Sequence, residues 1–294
     1  MTEIAFNRDF EVEYGLVETL SPLVRRVVAR NSGAFTFKGT ATFIVGHGKV
    51  AVIDPGPDRP EHIEALLHAL RGETIEHLVI THTHIDHSPA ARAVKAATGA
   101  QTYGYGPHGA DKGPSAEEGG DRDFYPETRM SEGDMIVGQG WSLQAVHTPG
   151  HTSNHLCFAL PEEATLFTGD HVMGWSTSVI APPDGDMDDY LVSLDKLLLR
   201  DDALYRPTHG PAIADPHPFV RSFIAHRNER TQAILARLGA GDRTIPELVD
   251  AIYIGLHPGL EAAAGRSVLA HLNALVKSGR VTREGEAEAI YRRA

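Results

Sequence analysis

The chain has 294 residues, with 41% hydrophobic and 22% charged side chains, ordinary values for a globular protein able to bury a sizeable core. Its 27 basic and 39 acidic residues give a formal net charge of −12, which argues against holding nucleic acid or an anionic membrane by broad electrostatic attraction. A single cysteine, Cys157 in the apolar run HLCFAL, rules out an intrachain disulfide and reads as a buried thiol.

The opening MTEIAFNRDF lacks the basic start and apolar stretch of a secretory signal, and no apolar run reaches bilayer length, so a soluble cytoplasmic protein is expected. TATFIVG (40–46) and KVAVIDPG (49–56) are β-branched strand patterns joined by His47-Gly48, a hairpin signal. Pro60 opens PEHIEALLHAL, where Ile63, Leu66, Leu67 and Leu70 fall at helical spacing. HLVI (77–80) predicts a short strand, Ser88-Pro89 predicts the N-cap and first position of a helix, and Gly99 its end.

Further along, strand-like segments run repeatedly into polar turns. LQAV precedes HTPGH (147–151), TLFT precedes Gly169-Asp170, and ALYRP precedes Thr208-His209-Gly210. Polar turns after successive apolar segments suggest a site built at one end of a sheet, and the alternation with helices predicts an α/β layered fold. Two segments rich in Gly, Pro and acid, 113–124 and 181–189, show no periodicity and read as surface loops, with a lid role as an option.

From about residue 216 the pattern becomes helical. Apolar positions 220, 223, 224, 234, 235 and 238 predict a long helix ending near Gly239. TIPE (244–247) is a capping box, RSVLAHLNALVKSG (266–279) is amphipathic, and VTREGEAEAIY reads as strand, turn, strand. Helices followed by a small hairpin suggest a winged helix, giving domains at 1–240 and 241–294.

The segment THTHIDHSPA (81–90) is the chemical centre of the sequence. Three histidines and an aspartate lie between His82 and His87, a density that core packing does not explain. In extended chain His82 and His84 point the same way and can chelate one ion, while Asp86 and His87, at the following turn, suit a second. Each ion needs about three protein donors if positions are to remain for water and substrate. His151, Asp170 and His209 are the candidates from later turns. Alone, either histidine would read as hydrogen-bonded or exposed, and Asp170 as a turn residue; their joint occurrence overturns those readings.

THTHIDH, HTPGH, TGD and PTHG, in that order, resemble the metallo-β-lactamase superfamily, which implies a four-layered αβ/βα sandwich with metals at one edge. The resemblance implies that His82, His84 and His151 hold one metal, that Asp86, His87 and His209 hold another, and that Asp170 bridges them. It implies a supporting role for Asp54 in VAVIDPG, and a place near the substrate for His155, for which a hydrogen-bonded core role is the alternative. GTATFIVG, HTPGHTSNHLCF, AHRNERTQAIL and the winged-helix tail further resemble the β-lactamase-like protein 2 subgroup, which includes endoribonucleases and, among fungal relatives, carrier-protein thioesterases.

The expected activity is hydrolysis of an ester, thioester or phosphodiester by a hydroxide bridging two ions, with Asp86 orienting it or passing its proton onward. Zinc, two per chain, suits five histidines and two aspartates; manganese or iron suits them too. Among other residues, His171 reads as supporting or exposed, His226 and Arg227 as ties between the long helix and the sandwich, and Ser176 to Ser178 as a polar loop. A secreted β-lactamase is disfavoured by aspartate at 170, and a glyoxalase II-type enzyme by the tail. RNA as substrate meets the acidic 1–240 segment and the neutral tail, whose 7 basic and 7 acidic residues cancel. A winged-helix DNA-binding regulator is the alternative of another class, against which the same neutrality weighs, so no duplex DNA partner is expected. The tail reads instead as a wall, a rim of the substrate cleft or a homodimer element.

Overall fold

The computed structural model describes residues 4–109, 119–241, 243–256, 258–285 and 289–294. Seven strands make the first sheet: β1 (Val17–Thr19), β2 (Val24–Val28), β3 (Ala41–Val45), β4 (Lys49–Ile53), β5 (Thr74–Val79), β6 (Gln101–Gly104) and β7 (Thr128–Arg129), ordered as in the chain. Helices α1 (Pro60–Ala69) and α2 (Ala90–Thr98) are the crossovers that make β4, β5 and β6 parallel. The second sheet contains β8 (Met135–Val137), β9 (Ser142–His147), β10 (Leu156–Leu160), β11 (Thr165–Gly169), β12 (Leu204–Pro207) and β13 (Ile213–Ala214). Helix α3 (Met187–Leu197) connects β11 to the parallel β12, and α4 (Pro216–Leu238) follows β13.

Alternation along the strands sorts side chains into layers. Phe43, Val45, Ile53 and Val79 of the first sheet meet Leu143, Ala145, Phe158 and Phe167 of the second in a core between the sheets. Ile44, Val50, Val52 and Leu78 face the other way and pack with Leu66 of α1 and Val94 of α2. Val146, Cys157, Ala159 and Leu166 do the same with Tyr190 and Leu194 of α3 and Phe223 of α4. The result is the four-layered αβ/βα sandwich that the sequence predicts. Cys157 is fully buried, and burial pushes its thiol up to about 12.

Residues beyond α4 form α5 (Ile245–Ile252), α6 (Glu261–Lys277) and the antiparallel hairpin β14 (Val281–Glu284) with β15 (Ile290–Arg293). Both halves of the capping box are made: Glu247 accepts from the Thr244 backbone N–H at 2.8 Å while Thr244 caps the helix. Val268, Leu272, Leu248, Val281 and Tyr291 form this module's core, joined by Ile234, Leu235 and Leu238 from the end of α4. Among the described residues no helix is long and apolar enough to cross a membrane.

Local expectations needed adjustment in three places. Helix α2 starts at Ala90 with Pro89 at the cap, because the Ser88 hydroxyl donates to Asp121 at 2.8 Å instead of capping. Residues 187–189, read as loop, begin α3: the Asp186 carboxylate accepts from the N–H groups of Asp188 and Asp189, and acids in the first turn favour a helix. Of the loop 113–124, residues 113–118 lie outside the described residues, while Gly120 and Asp121 run against the histidine turn.

The buried His62 of α1 carries a pH dependence. Its Nε2 lies 2.9 Å from Thr42 Oγ1 and 3.1 Å from the Pro55 carbonyl, and burial lowers its pKa to about 4. Between about pH 6.5 and 4 the unfolded chain binds the proton that the folded chain refuses, so stability is full above that window and falls as pH drops through it. His62 should account for about 2 kcal/mol of lost stability between pH 7 and pH 5. Urea melts at the two pH values should show that increment in the unaltered protein and its absence in His62→Gln.

Candidate metal centre

Strands β4, β5, β9, β11 and β12 deliver their C-terminal ends to one edge of the sandwich, and every donor sits in the turn that follows one of them. Backbone hydrogen bonds tie the sheets together there: Leu156 N–H donates to the Thr81 carbonyl at 2.7 Å, and Ala41 N–H to the Thr208 carbonyl at 2.9 Å. Two glycines let the turns close. Gly150, before His151, has φ +133°, and a Cβ there would lie 2.3 Å from Tyr190 Cα. Gly169, before Asp170, has φ +50° and would press a Cβ within 2.6 Å of His155 Nε2.

The turns bring seven donors into one buried cluster. His82, His84 and His151 form one group and Asp86, His87 and His209 another; His82, His87 and Asp170 form a third that links them, ligand atoms in each lying within 4.8 Å of one another. His84 Nδ1 faces His82 Nε2 at 2.9 Å and His151 Nε2 at 3.1 Å. Asp170 Oδ2 lies 3.4 Å from His209 Nε2, 3.6 Å from His87 Nε2 and 3.9 Å from His151 Nε2. Asp86 Oδ2 lies 3.2 Å from His209 Nε2 and 3.4 Å from His87 Nε2.

Electrostatics divides the cluster. Burial and the neighbouring imidazoles keep His82 and His84 neutral, far below the usual histidine range, and burial lowers His151 as well. Burial works against charge on His87 and His209, yet Asp86 and Asp170 raise both, His209 to about 10. Burial also opposes the carboxylates, and the two imidazoles still hold them below their ordinary range.

The donor chemistry fits divalent cations. Three imidazole nitrogens converge on one point, where neutral rings cannot all donate to one another, and His87 Nε2 and Asp170 Oδ1 are buried without a hydrogen-bond partner. Cations at such a site also displace protons from the ligating imidazoles.

Four of the imidazoles are oriented from behind. His87 Nδ1 meets Asp54 Oδ2 at 2.9 Å, His151 Nδ1 the Val179 carbonyl at 2.6 Å, His209 Nδ1 the Gly39 carbonyl at 3.2 Å, and His82 Nδ1 the Thr81 hydroxyl at 3.0 Å. Thr40, which the sequence reading passed over, donates to Asp86 Oδ2 at 2.8 Å and accepts from Asn31. His155 is fully buried beneath Asp170, its Nε2 accepting from the Asp170 N–H at 3.3 Å and its Nδ1 meeting the Thr148 hydroxyl. His171 is buried rather than exposed, packed on the Tyr190 ring at 4.7 Å. Arg227 does tie α4 to the sandwich, donating to the Ser178 carbonyl.

The metallo-beta-lactamase superfamily profile matches residues 35–209, and that of the beta-lactamase associated winged helix domain matches residues 244–290. The chain belongs to the metallo-β-lactamase superfamily. It is 32% identical to the lactamase-like protein adaB of Aspergillus niger over 290 residues, spanning 92% of this chain and 85% of that protein. It is 31% identical to an atrochrysone carboxyl ACP thioesterase of Claviceps purpurea, spanning 81% and 74%. Its fold matches a beta-lactamase domain protein from Burkholderia ambifaria with a TM-score of 0.83, covering 99% of this chain and 97% of that one at 18% identity. The chain is a metallo-β-lactamase superfamily hydrolase whose His/Asp cluster is compatible with two divalent metals.

Asp54→Asn should leave the donors in place but loosen the turns that carry them, weakening metal affinity by about 10- to 100-fold. Chelator competition with zinc measures this directly, and an unchanged affinity would show that Asp54 does not position the cluster.

Proposed function

We propose that this metallo-β-lactamase superfamily hydrolase cleaves thioesters, using His82, His84 and His151 for one divalent cation, Asp86, His87 and His209 for a second, and Asp170 between them. The observation that carries the reading is the pair of three-donor groups joined through Asp170. Relatives named as acyl-carrier-protein thioesterases support the choice of bond. Zinc is the first candidate because it suits an imidazole-rich set with few carboxylates; manganese and iron accept the same donors.

Bound there, the cations supply a water whose pKa falls from 15.7 toward about 7 and polarise the scissile carbonyl. The remaining work falls to the chain. Asp170 offsets part of the cationic charge. Asp86, its Oδ2 fixed by Thr40, would orient the attacking water or pass its proton on to the leaving thiolate. Asp54 and His155 act through the groups they hold, His87 and Asp170.

The same reading divides the chain into a catalytic domain, residues 1–240, and a winged-helix domain, residues 241–294. A nucleic-acid role for the latter finds little support in its charge: α6 offers Arg266 and Lys277, and Lys277 Nζ lies 3.3 Å from Asp188. The lone buried cysteine suits a cytoplasmic setting.

His84→Ala and Asp170→Ala should each reduce thioester hydrolysis by at least about a thousandfold and lower the metal bound per chain. Metal analysis alongside turnover of an acyl thioester, a lactone, a phosphodiester and single-stranded RNA tests this. Full activity with less than one ion retained would overturn the two-metal reading, and turnover confined to RNA would overturn the thioester assignment.

A further inference from the structure

A chamber of about 390 Å³ lies between the metal cluster and the winged helix, with His151 and Asp170 in its lining. Met173 and Trp175 line it from the sandwich, and Tyr253, Leu256, Leu260 and Ala263 from the other side. The volume falls within the roughly 300–1,000 Å³ of small-molecule sites, and the mix of apolar walls with a few polar groups is what such sites share. Trp175 is held in place by its stack on Phe37, with ring centroids 4.7 Å apart and planes 12° from parallel.

The charge of this chamber runs against that of the whole protein. Asp170 is the only carboxylate among its described lining residues, while Arg8, Arg227 and Arg230 all contribute to it. Arg227 and Arg230 are buried, 4% and 8% exposed, and the partners the structure gives them are neutral. Arg227 donates to the Ser178 carbonyl and lies over the Tyr190 ring at 5.4 Å. Arg230 reaches the Ile252 carbonyl at 3.5 Å and covers the Tyr253 ring at 4.1 Å. Buried guanidinium groups held by carbonyls and rings, one of them with its Nε unpartnered, keep their charge available to an incoming anion.

We propose that the chamber receives the acyl group of the substrate and selects an aromatic or branched acyl group carrying its own carboxylate. The hydrocarbon packs on Trp175, Tyr253, Leu256 and Leu260, and the carboxylate pairs with Arg230 and Arg227. The winged helix is thereby the specificity wall of the active site. This deepens the thioester reading and rests on it, but the chamber can be tested without turnover.

Calorimetric titration of the zinc-loaded full chain with benzoate and with isophthalate compares two acids that differ by one carboxylate. Isophthalate should bind about tenfold more tightly, and Arg230→Met should bring the ratio close to one. Ala263→Leu, which fills the chamber from α6, should weaken both aromatic acids relative to acetate, and keeps the idea testable should the arginine variant fail to fold. Equal binding of the two acids by the unaltered protein, or a ratio that survives Arg230→Met, overturns the proposal. Hydrolysis of the benzoyl and 3-carboxybenzoyl thioesters of N-acetylcysteamine separates the two readings. Preferential binding without turnover upholds the chamber and overturns the thioesterase, whereas turnover of both thioesters without preference overturns the chamber alone. Tighter binding of a short single-stranded RNA than of isophthalate overturns the acyl assignment.

Discussion

The edge of the sandwich that carries the seven donors depends on one buried carboxylate. Asp54 accepts from the Thr81 N–H at 2.8 Å, the Thr81 hydroxyl at 2.7 Å, His87 Nδ1 at 2.9 Å and the Thr208 hydroxyl at 3.2 Å. Those donors come from the turns after β5 and β12, so a single side chain fixes the histidine turn of the first sheet and the His209 turn of the second. Its backbone has φ +50°, a conformation costing about 1–3 kcal/mol for a residue other than glycine. Hydrogen bonds to a charged acceptor contribute about 1.5–3 kcal/mol each, and four of them outweigh that strain.

With His87 Nδ1 engaged by Asp54, its Nε2 must face the cluster, and the same logic orients the other donors. Nitrogens of His151 and His209 meet carbonyls, His82 meets a hydroxyl, and Asp86 is held by Thr40. A site organised in this way spends little free energy on rearrangement when charge develops, because its dipoles are already aligned. Crowding five imidazoles and two carboxylates out of water is tolerable because the charges alternate. His87 and His209 sit against Asp86 and Asp170, while His82 and His84 stay neutral.

Much of this was legible from the sequence, and what was legible was local. THTHIDH, HTPGH, TGD and PTHG are each short, each at the end of a strand, and each carries its donors within a few residues. The alternation of strand and helix periods, also local signals, gave an α/β layered fold, and the resemblance carried by the same segments implied the four layers. The unread parts are those whose meaning depends on a distant residue. Thr40 matters because it meets Asp86, 46 positions away, and the role of His155, left open between substrate and core, turns on its hydrogen bond from the Asp170 N–H. Ser88 looked like a helix cap until Asp121, 33 positions on, claimed its hydroxyl. The start of α3 was a misweighted local signal: Asp186 caps two N–H groups, but its Gly, Pro and acidic neighbours read as loop.

The winged helix is built into the sandwich rather than hung from it. Helix α4 contributes Val220 and Phe223 to the sandwich core and Ile234, Leu235 and Leu238 to the C-terminal core. Helix α6 reverses the exchange, placing Val268 and Leu272 in its own core and Ala270 against the sandwich. Two helices shared between two cores resist relative movement of the parts, because any hinge would have to break packing at both. A DNA reader gains from a module free to follow a groove; a chamber wall gains from one fixed relative to the metals. The position of Arg227 and Arg230 on α4, between the shared apolar segments, fits the second use. The same continuous helix that welds the two cores together carries the two arginines that line the chamber beside His151 and Asp170.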